Sequence, residues 1–142
     1  MNARIFLDTN IFVYALDESA GEKCDHASRL IKTAIQTRKG TISSQVVQEF
    51  FHLALRRFAK PMNAAEAAQY LGTVFRPLWT VQSSEALCLE ALRLCEAHRL
   101  SWYDSLIIAA AVESNCAILY SEDLQHGRRF GNTKVVNPFF TE

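Results

Sequence analysis

The chain has 142 residues, 49% of them hydrophobic and 21% charged, which is the size and composition of one globular domain with a full core. Its 15 Lys and Arg residues balance 15 Asp and Glu residues, which excludes a protein held to nucleic acid by bulk charge alone. Any contact with nucleic acid therefore needs a local patch or a bound metal. We expect a single domain over residues 1–142.

The four cysteines form no Cys-x-x-Cys pair, so the sequence gives no support to a zinc knuckle or a thioredoxin-type motif. Cys88 and Cys95 lie one heptad apart on one face of a predicted helix and are interpreted as core thiols of a protein in the reducing cytoplasm. No basic stretch followed by an apolar one opens the chain, so no signal peptide is expected. The longest purely apolar run, Leu106 to Val112, is too short to cross a bilayer, and no membrane contact is expected.

The first predicted strand is the short apolar run from Arg4 to Leu7, and Asp8, Thr9 and Asn10 end it. In an open parallel sheet, ligands lie outside the carboxyl ends of the strands. Asp8 therefore stands where a carboxylate can hold a ligand.

Helices and short strands are predicted to alternate along the rest of the chain. They are a helix at about 26–37 capped by Asp25, a strand at 41–43, a helix at about 44–58, a helix after Asn63 that ends before Pro77, a strand at 78–81, a helix from Ser84 to about His98, a helix at 102–114, and strands at 117–120 and 134–136. Asn63 is the expected N-cap of its helix, with Glu66 as a possible capping-box partner. This alternation predicts a parallel sheet with helices on both faces.

Two predictions concern which side chains are buried. The helix that follows Ser84 is expected to turn one stripe inward, made of Leu87, Cys88, Ala91, Leu92 and Cys95. The aromatic residues Trp79, Trp102 and Tyr103 are interpreted as core residues rather than as platforms for base stacking.

Three acids occupy informative positions. Asp8 and Asp123 each follow a predicted strand, and two parallel strands end at the same edge of a sheet. Each could instead be a turn or helix-cap residue. Asp104 lies in the first turn of the apolar helix, on its buried side, where an unpaired carboxylate is costly. A capping box with Ser101 is the alternative for Asp104, and the two roles are compatible.

Glu49 is the fourth acid, and by pattern alone it lies on the polar face of its helix, where solvated Glu is ordinary. Mg²⁺ and Mn²⁺ prefer carboxylate and water oxygens. Two carboxylates about 4 Å apart repel by roughly 4 kcal/mol at an effective dielectric near 20, so four converging acids would call for a cation. Thr9, Asn10 and Ser121 could orient such ligands by hydrogen bonds.

The chain resembles the PIN-domain family, and within it the VapC-type toxin ribonucleases. Four segments carry the resemblance in order, and they are Phe6–Asn10, Glu49–Phe50, Tyr103–Ala111 and Leu119–Gly127. The resemblance spans essentially the whole chain and implies a three-layer α/β/α sandwich with a central, mostly parallel sheet. It also implies an Mg²⁺- or Mn²⁺-dependent endoribonuclease.

The resemblance further implies site residues and partners. The family's acidic ligands and a nearby polar residue carry over onto Asp8, Glu49, Asp104, Asp123 and Ser121, with Asp123 aligning better than Glu122. In this scheme Asp8, Asp104 and Asp123 hold the metal, while Glu49 completes the site or positions water. The implied partners are RNA, a second copy of the chain in a homodimer, and the cognate antitoxin of a type II toxin–antitoxin pair.

Basic residues near the last acid are candidate contacts for phosphate. Arg128 and Arg129 follow it closely, and the Arg56–Arg57 pair is a second candidate. Solvated surface is the alternative reading of both pairs. His126 in the same loop is a weak candidate for proton transfer.

Two other functions remain open from the sequence. A phosphatase with an aspartyl nucleophile would also place Asp8 after the first strand, but it typically needs a second acid two residues later, where this chain has Asn10. The other alternative is a non-catalytic PIN-like module that binds RNA or a partner, against which the complete acidic set speaks. The sequence does not identify the RNA.

Overall fold

The computed structural model describes residues 3–141, and in this part of the chain six strands form one sheet. The strands are β1 (Ile5–Leu7), β2 (Gly40–Ser43), β3 (Trp79–Val81), β4 (Ile118–Tyr120), β5 (Arg129–Phe130) and β6 (Thr133–Val136). Their order is β3-β2-β1-β4-β6-β5. All neighbouring strands are parallel except the β5–β6 pair, so the predicted mostly parallel sheet is confirmed.

Helices cover both faces of this sheet. They are α1 (Thr9–Ala15), α2 (Glu22–Thr37), α3 (Ser44–Ala54), α4 (Ala64–Tyr70), α5 (Glu85–His98) and α6 (Trp102–Glu113). Helix α1 packs against α2 and α3, whereas α5 packs against α6. Right-handed crossovers put these two groups on opposite faces, which is the predicted three-layer sandwich. None of the helices within residues 3–141 has the length and apolarity that crossing a membrane requires.

The strand order reverses at the centre of the sheet, between β1 and β4. From β1 the chain moves outward to β2 and β3, and it then crosses back to build β4 on the other side of β1. Leu7 at the end of β1 pairs with Tyr120 at the end of β4. A reversal of this kind opens a crevice at the carboxyl ends of the strands, and the residues that follow Leu7 and Tyr120 stand at its floor.

Several predicted helix ends differ from the structure. Helix α2 begins at Glu22 rather than near His26, and its N-cap is Gly21, with φ +61°, rather than Asp25. Asp25 instead lies in the first turn, where the helix dipole favours a carboxylate. Helix α3 ends at Ala54 rather than at Phe58, because the carbonyl of Leu53 accepts the N–H groups of the next turn and tightens the chain.

The buried face of α5 is also rotated relative to its prediction. Leu92, expected inside, has 53% of its surface exposed, whereas Leu94 is buried. The core face is built from Leu87, Ala91 and Leu94, which follow helical spacing of four and three residues. Among the cysteines, Cys116 is buried, and the other three are half-buried rather than core residues.

Helix α1 and strand β5 were not predicted. Helix α1 follows Asp8 directly, and its inner residues Ile11 and Phe12 are fully buried. Strand β5 is only two residues long and forms a hairpin with β6 around Gly131, which has φ +58°. By contrast, the predicted capping box is confirmed in both halves, because Asn63 and Glu66 exchange side-chain and backbone hydrogen bonds.

Candidate active site

Asp8 is a buried carboxylate at the point where β1 passes into α1. It is the N-cap of α1, and its Oδ1 accepts a 2.7 Å hydrogen bond from the backbone N–H of Thr9. Its Oδ2 accepts a 2.7 Å hydrogen bond from the Ser121 hydroxyl, which follows β4. The pKa of the Asp8 carboxyl is raised to about 6, and burial is the main cause. The two hydrogen bonds oppose this rise, and the charges of Asp123 and Glu49 add to it.

Glu49 lies on α3 and faces the same crevice. Its Oε1 accepts a 2.7 Å hydrogen bond from the Thr9 hydroxyl, and its Oε2 accepts a 3.2 Å hydrogen bond from the Gln45 side chain. Helix α3 begins immediately after β2, so its first turns stand at the carboxyl edge of the sheet. The polar face of this helix is therefore turned toward the crevice rather than toward bulk solvent.

Asp123 approaches from the segment after β4. Its Oδ2 accepts a 2.9 Å hydrogen bond from the Asn10 side chain, and its backbone N–H donates to the Ser121 hydroxyl at 3.2 Å. Partial burial raises the pKa of the Asp123 carboxyl, and the charges of Glu122, Asp104 and Glu49 add to that rise. The acids on this side of the molecule therefore sense one another's charge.

Asp104 completes the set from the first turn of α6. Its backbone N–H donates a 3.1 Å hydrogen bond to the Ser101 hydroxyl, so the predicted N-cap is present. Its carboxylate lines the same cleft as the other three acids, which has a volume of about 460 Å³. The structure thus brings together Asp8, Glu49, Asp104 and Asp123, which come from four separate parts of the chain.

The spacing of these acids bears on which ion they could hold. Within residues 3–141, no three Asp, Glu, His or Cys side chains stand close enough to enclose one ion in their present positions. Mg²⁺ keeps several waters and usually takes only one or two protein carboxylates, so an open set of acids suits it better than a closed cage would. Burial is the main cause of the raised pKa values of Asp8 and Asp123, and the charges of neighbouring acids add to it. A divalent cation would relieve that repulsion between the carboxylates.

The three residues expected to orient the acids are all in contact with them. The Ser121 hydroxyl donates a hydrogen bond to Asp8, and the Asn10 side chain donates one to Asp123. Thr9 donates its backbone N–H to Asp8 and its hydroxyl to Glu49. Because each donor is itself at the end of a strand or in the first turn of α1, its position is set by the sheet.

The candidate phosphate and proton-transfer residues lie elsewhere. Arg129 is part of the outer strand β5, and the Arg128 guanidinium lies 4.8 Å from the centre of the Phe130 ring. The His126 Nδ1 accepts a 3.0 Å hydrogen bond from the backbone N–H of Asn137. Neither arginine nor His126 lines the acidic cleft, and the same is true of Arg56 and Arg57 in the turn after α3.

Glu122 has a role that the sequence did not indicate. Its side chain turns toward α1 and α2, where it accepts hydrogen bonds of 2.5 Å from the Tyr14 hydroxyl and 2.6 Å from Lys23 Nζ. Asp123 lines the cleft and Glu122 does not, so the choice between the two acids agrees with the geometry. No local signal could have shown this, because both partners of Glu122 are about a hundred residues away in the chain.

The prediction that Tyr103 is a core residue is wrong. The half-buried Trp79 and Trp102 pack against the core as expected, but Tyr103 has 62% of its surface exposed and stands at the rim of the cleft. It occupies the second position of α6, next to Asp104. Gln45 and Gln48 of α3 also line the cleft and were not singled out from the sequence.

Comparison with known proteins identifies similar sequences and folds. The family model of the PIN domain matches residues 5–129. The fold is similar to VapC20 of Mycobacterium tuberculosis, described as a sarcin-ricin loop cleaving toxin, with 20% identity and a TM-score of 0.61 over 84% of this chain and 89% of that one. It is equally similar to VapBC2 of Rickettsia felis bound to a promoter DNA fragment, with 20% identity and a TM-score of 0.61 over 92% and 96%. None of the curated proteins compared with the sequence matches it.

Proposed function

The chain belongs to the PIN domain family, and on this basis we propose that it is a divalent-metal-dependent endoribonuclease that hydrolyses RNA phosphodiester bonds. The observation that carries the proposal is the convergence of four acids on one cleft, at the reversal of strand order. We further propose that residues 1–142 form a single nuclease domain. An oxygen-rich, open arrangement of this kind is suited to metal-assisted hydrolysis of a phosphodiester.

Mg²⁺ or Mn²⁺ is the proposed cofactor. Asp8, Asp104 and Asp123 would hold the ion, and Glu49 would complete the site or position a water. Bound there, the ion would act as a Lewis acid on the scissile phosphate and lower the pKa of a bound water.

The surrounding side chains would keep these acids in place. The Ser121 hydroxyl and the Thr9 N–H hold the two oxygens of Asp8, and this pair of bonds restricts rotation of the carboxylate. Thr9 and Gln45 restrain Glu49 in the same way. Outer hydrogen bonds of this kind orient metal ligands before the ion binds.

The partners follow from the same proposal. We propose a toxin of a type II toxin–antitoxin pair, acting on RNA in the cytoplasm as a homodimer and inhibited by a cognate antitoxin. The support is the likeness to a structure described as a toxin that cleaves the sarcin-ricin loop, and to VapBC2 bound to DNA from its promoter. The antitoxin is tested by expressing a short reading frame that neighbours the gene and measuring whether its product co-purifies with the chain. Sedimentation equilibrium would test the dimer.

The phosphatase alternative meets a specific obstacle in the structure. An aspartyl phosphatase would need an acid at position 10, and here the Asn10 amide is engaged as a donor to Asp123. A metal-dependent phosphatase and a non-catalytic RNA- or partner-binding module stay as alternatives, and the same assay separates all three.

The assay measures cleavage of a mixture of single-stranded RNAs, once with Mg²⁺ and once with EDTA. Hydrolysis of p-nitrophenyl phosphate is measured in parallel as the phosphatase assay. We expect Mg²⁺-dependent RNA cleavage that EDTA abolishes, no phosphatase activity, and loss of cleavage in Asp8→Asn. Asp25→Asn, which changes an exposed Asp outside the cleft, is the matched control and should cleave normally. Cleavage by Asp8→Asn at the rate of the wild type would contradict the proposal.

A further inference from the structure

A small recess opens beside the acidic cleft and differs from it in charge. The two share Gln45, Gln48 and Tyr103, and the recess has a volume of about 80 Å³. The rest of its lining is made of Ser43, Ser44, Ser83, Leu87 and Leu106. No charged side chain lines it, so hydroxyls, amides, aliphatic groups and one aromatic ring adjoin a cleft that carries four carboxylates.

Tyr103 supplies a ring that is open to a ligand. It has 62% of its surface exposed, and its ring stacks on no other aromatic ring in the described part of the chain. The backbone beneath it is held, because its carbonyl accepts a 3.1 Å hydrogen bond from Gln45 Nε2. An exposed aromatic ring on a held backbone is the kind of surface on which nucleobases stack.

The amide of Gln45 has a determined orientation. Its Nε2 donates both to Glu49 Oε2 at 3.2 Å and to the carbonyl of Tyr103 at 3.1 Å. Because both partners are acceptors, the nitrogen must face them and the oxygen must face away. That Oε1 is buried and receives no hydrogen bond from residues 3–141.

Ser43 has a second buried atom of this kind. Only 2% of the residue is exposed, and its hydroxyl oxygen has no hydrogen-bond partner among the described residues. Buried polar atoms are nearly always paired, so two unpaired ones on residues that both line this recess need an explanation.

We propose that this recess is a nucleobase subsite for single-stranded RNA, in which one base stacks on Tyr103 and turns its edge toward Gln45 and Ser43. The inference rests on the proposed function, since the phosphate next to that base would lie in the acidic cleft. Bases carry ring N–H or amino donors that match the Gln45 oxygen, and their recognition in single strands combines stacking with hydrogen bonds to an edge.

Charge and size favour a base over a phosphate in this position. The recess offers no Lys or Arg to an anion, and the neighbouring carboxylates would repel one. A volume of about 80 Å³ takes several waters or the edge of a flat ring, but not a whole nucleotide. The sugar and phosphate would therefore stay outside the recess and continue into the cleft.

The test measures binding, so that it does not depend on cleavage. Fluorescence anisotropy records the affinity of a labelled single-stranded oligoribonucleotide in Ca²⁺, which takes the same oxygen ligands as Mg²⁺, and a gel verifies that the RNA is intact. A series of oligonucleotides carries one abasic position, moved along the strand. In the wild type we expect one position at which removing the base weakens binding about tenfold.

The variants separate stacking from a general effect on the fold. Tyr103→Ala should bind intact RNA about tenfold more weakly and lose the sensitivity to that abasic position, whereas Tyr103→Phe should keep both. Phe140→Ala removes an exposed aromatic ring that stacks on His126, away from the recess, and should behave as the wild type. Thermal unfolding of each variant verifies that it is folded.

The outcomes distinguish this subsite from the proposed function. Wild-type protein that binds RNA without cutting it in Mg²⁺ would contradict the nuclease, while the abasic series would still decide the subsite. The subsite is overturned if Tyr103→Ala keeps the abasic profile of the wild type. It is also overturned if no position is sensitive, or if the wild type does not bind RNA.

Discussion

The hydroxyl of Ser121 donates a 2.7 Å hydrogen bond to Oδ2 of Asp8 across the junction of β1 and β4. Both residues follow strand ends that are paired, because Leu7 lies opposite Tyr120. The bond lowers the pKa of a carboxyl that burial raises to about 6. A neutral donor from one strand therefore stabilises the charge of a buried acid from its neighbour.

Ser121→Ala is expected to weaken metal binding. The variant removes the donor to Asp8, so the carboxylate loses an orienting bond and its pKa rises further, which makes protons compete better with the ion. Loss of an outer hydrogen bond of this kind typically costs about 10- to 100-fold in metal affinity. Calorimetric titration with Mn²⁺ at pH 7 measures it, and Ser28→Ala on the exposed side of α2 is the control. Equal affinities would show that the bond does not support the site.

Asp8→Asn is expected to be more stable than the wild type when metal is absent. In the folded protein the Asp8 carboxyl has a pKa of about 6, against the usual 3.8 expected in the unfolded chain. Raising the pH from 4 to 6 therefore lowers the free energy of unfolding, because the unfolded chain loses this proton more easily than the folded protein does. Asparagine avoids that buried charge, and the expected gain in unfolding free energy at pH 7 is on the order of 1–3 kcal/mol.

Urea denaturation in EDTA at pH 7 and at pH 4 measures this gain. At pH 4 the wild type carries a protonated Asp8 in its folded state, so the advantage of Asn should largely disappear. An advantage that is absent at pH 7, or that grows toward pH 4, would contradict the assignment of the raised pKa. In the same variant we expect RNA cleavage to be lost, so stability and activity change in opposite directions.

Glu122→Ala is expected to weaken metal binding several-fold, although Glu122 does not line the cleft. Its bonds to Lys23 and Tyr14 anchor the segment that carries Asp123 against α1 and α2. Lys23 is partly exposed, so the pair itself should contribute little to overall stability. Mn²⁺ titration together with thermal unfolding measures both effects.

The matched control for this variant is Glu90→Ala. Glu90 pairs with Arg93 on α5, on a surface that does not border the cleft. Its loss removes an exposed ion pair of the same kind but should leave metal affinity unchanged. If both variants lowered the affinity equally, the effect would reflect net charge rather than the position of Asp123.

Gly40→Ala is expected to destabilise the fold by about 1–3 kcal/mol. A Cβ at this position would clash with the Cβ of Ala34 in α2 and lie 2.7 Å from Cδ2 of Leu78, the residue before β3. Chemical denaturation measures the loss. Gly72→Ala is the control, since a Cβ there meets no atom within 4 Å, and it should be neutral or slightly stabilising.

Much of the fold was predictable because its signals are local. The capping box of Asn63 and Glu66 depends on two residues in one turn, and the structure contains it. Alternating strands and helices predicted the parallel sheet, and the family's motifs pointed to the four acids that line the cleft. Element ends were less accurate, as the start of α2 and the end of α3 show.

Side-chain environments were harder to predict, since they depend on packing between distant segments. Leu92 fits an apolar helical stripe, but α5 turns Leu94 toward the core instead. Tyr103 belongs to a strongly apolar helix, yet it is exposed and lines the acidic cleft. Periodicity reports that a helix has an apolar face, and it does not report how far that face extends or what covers it.

The alternation of strands and helices, the family and the identity of the candidate acids could be inferred from the amino-acid sequence alone, whereas helix α1 and strand β5 could not. Only the tertiary structure decided that Glu49 faces Thr9 instead of solvent, that Glu122 bonds Lys23, and that an uncharged recess adjoins the cleft. The reason is physical. Apolar spacing and caps act within a few residues, whereas the surroundings of a polar side chain are set by strand register and by elements far away in the chain.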